Sequence, residues 1–431
     1  KARQEDVNVL LQSEILERCT KEQVRVTGSL FSVVEEQKKR RRAIYWPKAL
    51  NSAVDEMKPE MQLDDTIAHA RVEKNIWAAT FDLKASFYQV ELPEQTRSMF
   101  GLHTETGCYR FKRLPMGFSV SPYIMHEITK QAAASAESEN LRIDAYIDNV
   151  RFTSSSRDKV EEACRRFKRF CEDSGVTLND EEGNSPHRNG DFLGLTYDYI
   201  NGEVKLAKKT LDKLVAMKIP PRATRREYLA LFGTVLFATR ALKVHPARFF
   251  TQIKFIRKRC CTGELDEEVD IWPSCVRGFE AWISELRRNK PTRHEIGEPL
   301  GEEAVLFTDA SVIGWGAVLV CGSNVFSTAG RWDTPIDCSQ ICEFEARAIA
   351  QAALRFKSTL KNVKTIIIRT DNTATMHTLK KGTAREYELN GAIAECADAF
   401  LTSAPHAAVF VAHVPTADNP ADSLSRGRPL E

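Results

Sequence analysis

Two sets of carboxylates carry the chemistry that this 431-residue sequence can support. Asp82 stands in Thr-Phe-Asp-Leu-Lys-Ala-Ser-Phe (80–87) and Asp148 in Tyr-Ile-Asp-Asn (146–149). Asp309, Glu345, Asp371 and Asp422 stand in the last third of the chain. Hard divalent cations take clustered carboxylate oxygens, and a pair of such ions stabilises both the attacking and the leaving oxygen of an in-line phosphoryl displacement. Two clusters in one chain point to making or breaking nucleic-acid backbones at two sites. Asn149, next to Asp148, brings an uncharged amide to the first set, whose oxygen is a weaker ligand than a carboxylate.

The elements that must hold these groups are readable in the pattern. The apolar segment Ile76 to Phe81 reads as a strand with Asp82 at its end. Asp148 lies among the β-formers Tyr146, Ile147, Val150 and Phe152, in a tight hairpin expected to bring it beside Asp82. Leu114 to Pro122, with Met116 and Gly117 inside it, reads as a turn opening a helix, and Phe192-Leu193-Gly194 as a short turn between strands. Helical spacing runs over about 6–24 (Val9, Leu10, Ile15, Leu16) and over 205–245. In the latter, Leu229, Phe232, Leu236 and Thr239 share a stripe, and Gly233 would let a neighbour approach. Asn289 to Glu303, with Pro291, Gly297, Pro299 and Gly301, is the linker candidate.

Beyond the linker, Val305 to Ser311 reads as a strand presenting Asp309, followed by a small-residue strand from Trp315 to Val320 and a helix through Glu345. A β-branched strand (Thr365 to Ile368) ends just before Asp371, where α/β sites form. A last strand (Val409 to Ala412) and a loop carrying Asp422 feed a final helix. The predicted organisation is a mixed α/β region over 1–200, a helical region over 201–288, a linker over 289–301 and a second α/β layer structure over 302–431.

Bulk composition excludes little beyond membrane spans. Sixty-one Lys+Arg against 59 Asp+Glu leave a net charge of +2, so net charge announces no polyanionic partner. Local runs, Lys38 to Arg42 and Lys254 with Arg257 to Arg259, could meet phosphates or could be solvated faces. No stretch reaches the roughly 20 apolar residues of a spanning helix. The eleven cysteines lack paired metal-site spacing and read as reduced thiols of an intracellular protein, cytoplasmic or nuclear.

The ordered motifs from about 35 to 245 resemble the reverse transcriptases of retroelements. The resemblance implies a right-hand polymerase of fingers, palm and helical thumb, with Asp82 and Asp148 as holders of two metals and Asn149 in the place of a third ligand. It also implies that Phe87 excludes the ribose 2′-OH, that Arg42 contacts the incoming triphosphate, that Met116 and Gly117 lie near the nucleotide, and that Phe192, Leu193 and Gly194 form the primer grip. Residues 302–428 are similar to a retroelement RNase H domain, on Thr-Asp-Ala-Ser (308–311), the Glu345 helix, Thr-Asp-Asn (370–372) and Asn-Pro-Ala-Asp-Ser-Leu-Ser-Arg (419–426). That likeness makes Asp309, Glu345, Asp371 and Asp422 ligands of two Mg²⁺ ions, with Glu345 preferred over Glu343 because Ala348 and Ile349 follow it at +3 and +4. His413 is a candidate for proton transfer or a structural histidine.

Together these imply an RNA- and DNA-templated DNA polymerase with ribonuclease H activity, two Mg²⁺ (or Mn²⁺) per site, and an RNA template, DNA primer, RNA/DNA hybrid and deoxynucleoside triphosphates as partners. The ending around Asn419 leans towards the DIRS group of LTR-type and DIRS-group elements, including VIPER-like ones. Two departures matter. Asn149 replaces an acid, and Glu182 stands near the place of a lysine that assists the leaving pyrophosphate, a charge that Arg188 or a shifted alignment would then have to supply. They leave two alternatives: a nuclease whose polymerase-like half only grips the hybrid, and a domesticated nucleic-acid-binding scaffold.

Overall fold

The computed structural model describes residues 4–35, 40–57, 63, 65–180, 182–294, 302–334, 336–382, 384, 386–405 and 407–429. Contacts divide the chain into Lys1–Glu203 and Val204–Glu431, each of mixed α/β structure.

The strands of the first unit are β1 (Leu16–Arg18), β2 (Thr27–Glu35), β3 (Arg40–Trp46), β4 (Trp77–Asp82), β5 (Gly101–Thr104), β6 (Gly107–Phe111), β7 (Arg142–Tyr146), β8 (Asn149–Ser154), β9 (Asn189–Phe192) and β10 (Leu195–Asp198). Five of them form a sheet in the order β1-β6-β5-β2-β3, and three form the sheet β4-β8-β7 that carries Asp82 and the turn with Asp148. Behind the second sheet lies the helix Arg157–Asp173. Its buried residues Val160, Ala163, Cys164, Phe167 and Cys171 fall on one stripe at helical spacing. Ser156 caps its start by accepting from Lys159 N at 3.4 Å. Phe167 meets Phe81 and Phe152 edge-on at 5.1 and 5.5 Å, so the ring of β4 just before Asp82 is fixed from behind. Burying such a ring stabilises by about 2–3 kcal/mol.

The expected helix over 6–24 is shorter. It spans Gln4–Gln12, and Leu16 belongs to β1, paired with Phe111. Glu14 adopts a φ of 53°, which ends the helix, and Val9 is left exposed.

The second unit is entered along β11 (Glu203–Leu206) and continues through the helices Lys208–Ala216, Arg225–Ala241, Phe250–Phe255 and Pro273–Arg287, with a short ladder of β12 (Arg222–Thr224) and β13 (Glu268–Asp270). Thr224 and Glu227 form a reciprocal capping box at the start of Arg225–Ala241. The buried face of that helix is rotated from the expected stripe. Tyr228, Val235, Ala238, Thr239 and Ala241 are buried, while Leu229, Phe232 and Leu236 are half-buried. Gly233 faces open space, so it admits no close neighbour. The anchor is Trp282, fully buried, stacked on Phe249 at 4.5 Å and donating from Nε1 to Thr239 Oγ1 at 2.9 Å. Of the segment 289–301, Asn289 holds Leu206 through both its amide groups, Thr292 pairs with Val204, and His294 is buried against Ala241 O; residues 295–301 lie outside the described residues.

The second unit ends in a five-stranded sheet of β14 (Glu302–Ala310), β15 (Gly314–Cys321), β16 (Asn324–Arg331), β17 (Val363–Thr370) and β18 (Ala408–His413), in the order β16-β15-β14-β17-β18. β14, β15 and β16 are antiparallel neighbours, and β17 and β18 run parallel to β14. The helix Ile341–Arg355 lays Ala346, Ile349, Ala350 and Ala353 into this core, against the helix Tyr387–Ser403. Ala247 of the helical region belongs to the same buried cluster. β16 and the helices Thr373–Lys381 and Tyr387–Ser403 were not singled out by pattern. Among the described residues, no helix is long and apolar enough to cross a membrane, and the eleven cysteines are free thiols.

Candidate active sites

In the first unit the register of β4 on β8 sets Asp82 opposite Asn149. β7 and β8 are joined by the two-residue turn Ile147-Asp148, closed by Tyr146 opposite Asn149. Ile147 sits at φ 53°, a left-handed conformation unusual for a β-branched residue. The turn is tied down from two sides: Ile147 N donates to His126 Nδ1 at 3.2 Å, and Leu83 N donates to Asp148 O at 3.0 Å. Asp82 and Asp148 thereby face one cleft of about 890 Å³, which Arg41, Arg42, Lys84, Phe87, Tyr88, Met116 and Asn179 also line.

Each carboxylate has a local donor. Ser86 Oγ donates to Asp148 Oδ2 at 2.9 Å, Asn149 Nδ2 to Asp148 Oδ1 at 3.0 Å, and Asn179 Nδ2 to Asp82 Oδ2 at 2.5 Å. Asn149 therefore presents its amide nitrogen, not its oxygen, to its neighbour. Ser86 and Asn179 had no role in the sequence reading. Spacing alone does not reveal them, because Asn179 lies 97 positions from the acid it touches.

Met116 and Gly117 arrive through a tight loop on β3. Tyr45 N donates to Met116 O at 2.8 Å and Asn51 Nδ2 to Gly117 O at 3.0 Å. Gly117 has φ +108°, and a Cβ there would come within 2.1 Å of Tyr45 O. It shapes the loop and does not line the cleft. On the rim, Arg41 donates from Nε and Nη2 to both oxygens of Asp6, at 3.0 and 2.9 Å. Of the Phe192-Leu193-Gly194 segment, Phe192 ends β9 and is buried, while Leu193 and Gly194 form the turn at φ 50° and 81°. The side chain of Glu182 lies outside the described residues.

In the second unit three acids converge. Ligand atoms of Asp309 on β14, Glu345 on the helix Ile341–Arg355 and Asp371 just past β17 lie within 4.8 Å of one another. Asp309 and Glu345 are buried, and Asp309 Oδ2 and Glu345 Oε2 have no hydrogen-bond partner. Burial raises the Asp309 carboxyl to about 6, and the nearby Asp371 and Asp422 charges add to this. Burial and then the Asp309 charge push Glu345 well above the usual carboxylate range. Buried, unpartnered carboxylate oxygens facing one another are costly unless a cation sits between them, so this donor set fits a hard divalent ion.

The remaining contacts hold the acids in place. Ala310 N donates to Glu345 Oε1 at 3.1 Å, and Thr416 Oγ1 to Asp371 Oδ2 at 2.7 Å. Asp422 is close enough to raise Asp309 but is outside the convergent trio; its carboxylate accepts from Arg426 Nη2 at 2.9 Å. Glu343, the competitor of Glu345, pairs with Arg347 at 2.8 Å. His413 is exposed at the end of β18.

Residues 34–197 match the family model described as reverse transcriptase (RNA-dependent DNA polymerase). The enzymatic polyprotein of Cestrum yellow leaf curling virus is 30% identical over 296 residues, covering 59% of this chain and 45% of that protein. The chain thus spans about half the length of this curated relative. Among solved structures, the foamy viral protease-reverse transcriptase in complex with dsDNA matches with a TM-score of 0.54 at 17% identity, covering 96% of this chain and 82% of that one. The same enzyme in complex with an RNA/DNA hybrid matches with a TM-score of 0.52 at 16% identity, covering 96% and 54%. The fold is that of a right-hand polymerase. The part of the chain over residues 34–197 is thus similar to reverse transcriptases, and the similar proteins include viral enzymatic polyproteins.

Proposed function

We propose that the chain copies RNA into DNA at the first site and degrades the RNA strand of the resulting hybrid at the second, as the replication enzyme of an LTR- or DIRS-group element working in the cytoplasm or nucleus. The observation that carries this reading is the convergence of Asp82 and Asp148 on one cleft with Arg42, Phe87 and Met116. Arg42 offers a planar fork suited to triphosphate oxygens, and Phe87 offers a flat apolar wall against the sugar of a deoxynucleotide. Asp82 and Asp148, with Ser86, Asn149 and Asn179 orienting their oxygens, would hold the divalent ions. In the second unit Asp309, Glu345 and Asp371 would hold another ion, with Asp422 nearby. When bound, Mg²⁺ supplies charge to activate the attacking oxygen and to stabilise the leaving one. Phosphate contacts of the same kind bind template, primer and hybrid, largely by shape and backbone.

A second reading is favoured by one contact. Because Asn149 donates to Asp148, the first site has one acid fewer and one more donor, which fits a half that only grips the hybrid. Primer extension on an RNA template, in Mg²⁺ and in Mn²⁺, separates the two. The assay uses an Asp309→Asn background to protect the template and Asp82→Asn as the dead control. Extension that is lost with Asp82→Asn is expected. No extension in either metal, with hybrid cleavage intact in the parent chain, would leave only the nuclease.

A further inference from the structure

Arg151 is among the largest fully buried side chains of the protein, with 1% exposure, and nothing in the two-site reading uses it. It lies on β8, two residues after Asn149 and on the same strand face. Its Nε and Nη2 donate to Asp144 Oδ2 on β7 at 3.1 and 2.7 Å, and Nη2 also donates to His69 O at 2.7 Å. Its guanidinium lies over two rings of the β9/β10 hairpin, 4.5 Å from the Tyr197 centroid and 4.7 Å from that of Phe192. The neighbours close the cluster. Tyr197 Oη donates to His69 O at 3.0 Å, and His69 Nδ1 shares a hydrogen bond with Asp144 Oδ1 at 3.1 Å. The His69 ring stands edge-on to Phe192 and to Tyr146, the residue that opens the Ile147-Asp148 turn.

β9/β10 is not a member of the β4-β8-β7 sheet. Backbone bonds from β4 reach the flanks of this hairpin, between Ala78 and His187 and from Ile76 N to Tyr199 O, short of the Leu193-Gly194 turn, and the side chains of the Arg151 cluster span the rest. A buried guanidinium that gives two donors to one carboxylate oxygen of its own hairpin and is stacked on the rings of the other resists sliding between them. Both the cation–π geometry and the charge-assisted hydrogen bonds are directional. Burial opposes ionisation of Asp144, but the His69 hydrogen bond and the Arg151 and Arg142 charges outweigh it, so the acid stays charged and keeps its grip.

We propose that Arg151 is a positioning residue that sets the Leu193-Gly194 turn against Asp148, and so sets how firmly a primer end is held over the first site. The inference rests on the polymerase reading for what the turn holds, and on the contacts above for how it is held. Arg42, Phe87 and Met116 line the cleft, and no residue of this cluster is part of that lining, so loss of Arg151 should weaken the primer–template and spare the nucleotide.

The test measures fluorescence anisotropy of a labelled DNA primer on an RNA template, in the full chain without nucleotide, alongside KM for deoxynucleotides. Arg151→Met is expected to weaken primer–template binding on the order of tenfold with an unchanged nucleotide KM, since small misplacements of positioning groups cost that much or more. Arg151→Lys should recover part of the affinity, because it keeps the charge but not the fork. Arg151→Met leaves a buried acid short of a partner and could unfold the unit, so Arg151→Met with Asp144→Asn is measured as well. A double variant that melts like the parent and binds primer–template like the parent overturns the proposal. So does a loss of affinity no larger than the loss of folded protein. If the parent binds but extends no primer, the polymerase reading fails, while the binding comparison still decides the role of Arg151.

Discussion

Replacing Asp309 by asparagine should stabilise the metal-free chain at neutral pH while abolishing hybrid cleavage. The folded carboxyl is raised from 3.8 to about 6, mainly by burial and then by neighbouring acids. Between these values the folded group holds a proton that the unfolded one has released. Parent stability therefore falls as pH rises through this window and stays low above it. At about 1.4 kcal/mol per pH unit, the interval is worth about 3 kcal/mol at pH 7.5 and vanishes near pH 4. Asparagine keeps the shape without the charge and also relieves Glu345, whose own rise owes part to Asp309. For a unit of this size 3 kcal/mol corresponds to a melting-temperature rise of about 6–12 °C. Thermal melts of both chains in a chelator, at pH 4.5 and 7.5, read the gap directly. Adding millimolar Mg²⁺ at pH 7.5 should then raise the parent and leave the variant behind, because a bound ion stabilises only the chain that can hold it. A gap that is the same at both pH values, or an equal response to Mg²⁺, would refute the account of the trio as a charge-strained cation site.

Three further outcomes are expected. Asn149→Asp exchanges the amide donor on Asp148 for a second carboxylate, so half-maximal primer extension should need about tenfold less Mg²⁺; an unchanged Mg²⁺ profile would mean that position 149 does not reach the ion. Phe87→Val opens the cleft wall beside Asp148 and should raise ribonucleotide relative to deoxynucleotide incorporation by about 10–100-fold in kcat/KM, read by single-nucleotide extension. Gly117→Ala forces a Cβ against Tyr45 O at a left-handed φ and should cost about 3 kcal/mol or more, visible as a lowered denaturant midpoint.

The placement of the candidate acids was legible because they sit at strand ends. An apolar run stopping at Asp82, a β-rich hairpin around Asp148 and a β-branched strand stopping before Asp371 each announce where a carboxylate emerges. Glu345 over Glu343 followed from which residue shares a helix face with Ala348 and Ile349, and the ion pair of Glu343 with Arg347 fits that choice. What the pattern could not supply was long-range. Asn179 and Ser86 orient the first pair of acids through contacts fixed only by the fold, and Arg151 looks in sequence like any charged residue on a strand. On Arg225–Ala241 the expected stripe meets Trp282 through Phe232 and Thr239, but the more deeply buried Tyr228, Val235 and Ala238 lie one residue round the helix, where a small residue and a polar-ended ring blur the pattern. The helix Tyr387–Ser403 carries Leu389, Ile393, Cys396 and Phe400 at i, i+4, i+7 and i+11 on its buried side, a periodicity that is readable in the sequence but is not among the expectations above.

The Ile147-Asp148 turn has a consequence for how this sequence can drift. A β-branched residue at φ 53° costs on the order of 1–3 kcal/mol relative to glycine or asparagine, which tolerate that backbone. Relief of that strain favours those two residues at position 147, while the apolar packing of the isoleucine side chain works against the exchange. Isoleucine, by packing onto the cluster of Phe81, Val150 and Phe152, stiffens the loop that a small or polar residue would free. Among descendants of this chain, a bulky apolar residue persisting at 147 would mark lineages still selected for catalysis, and its loss to glycine or asparagine would mark those selected only to fold.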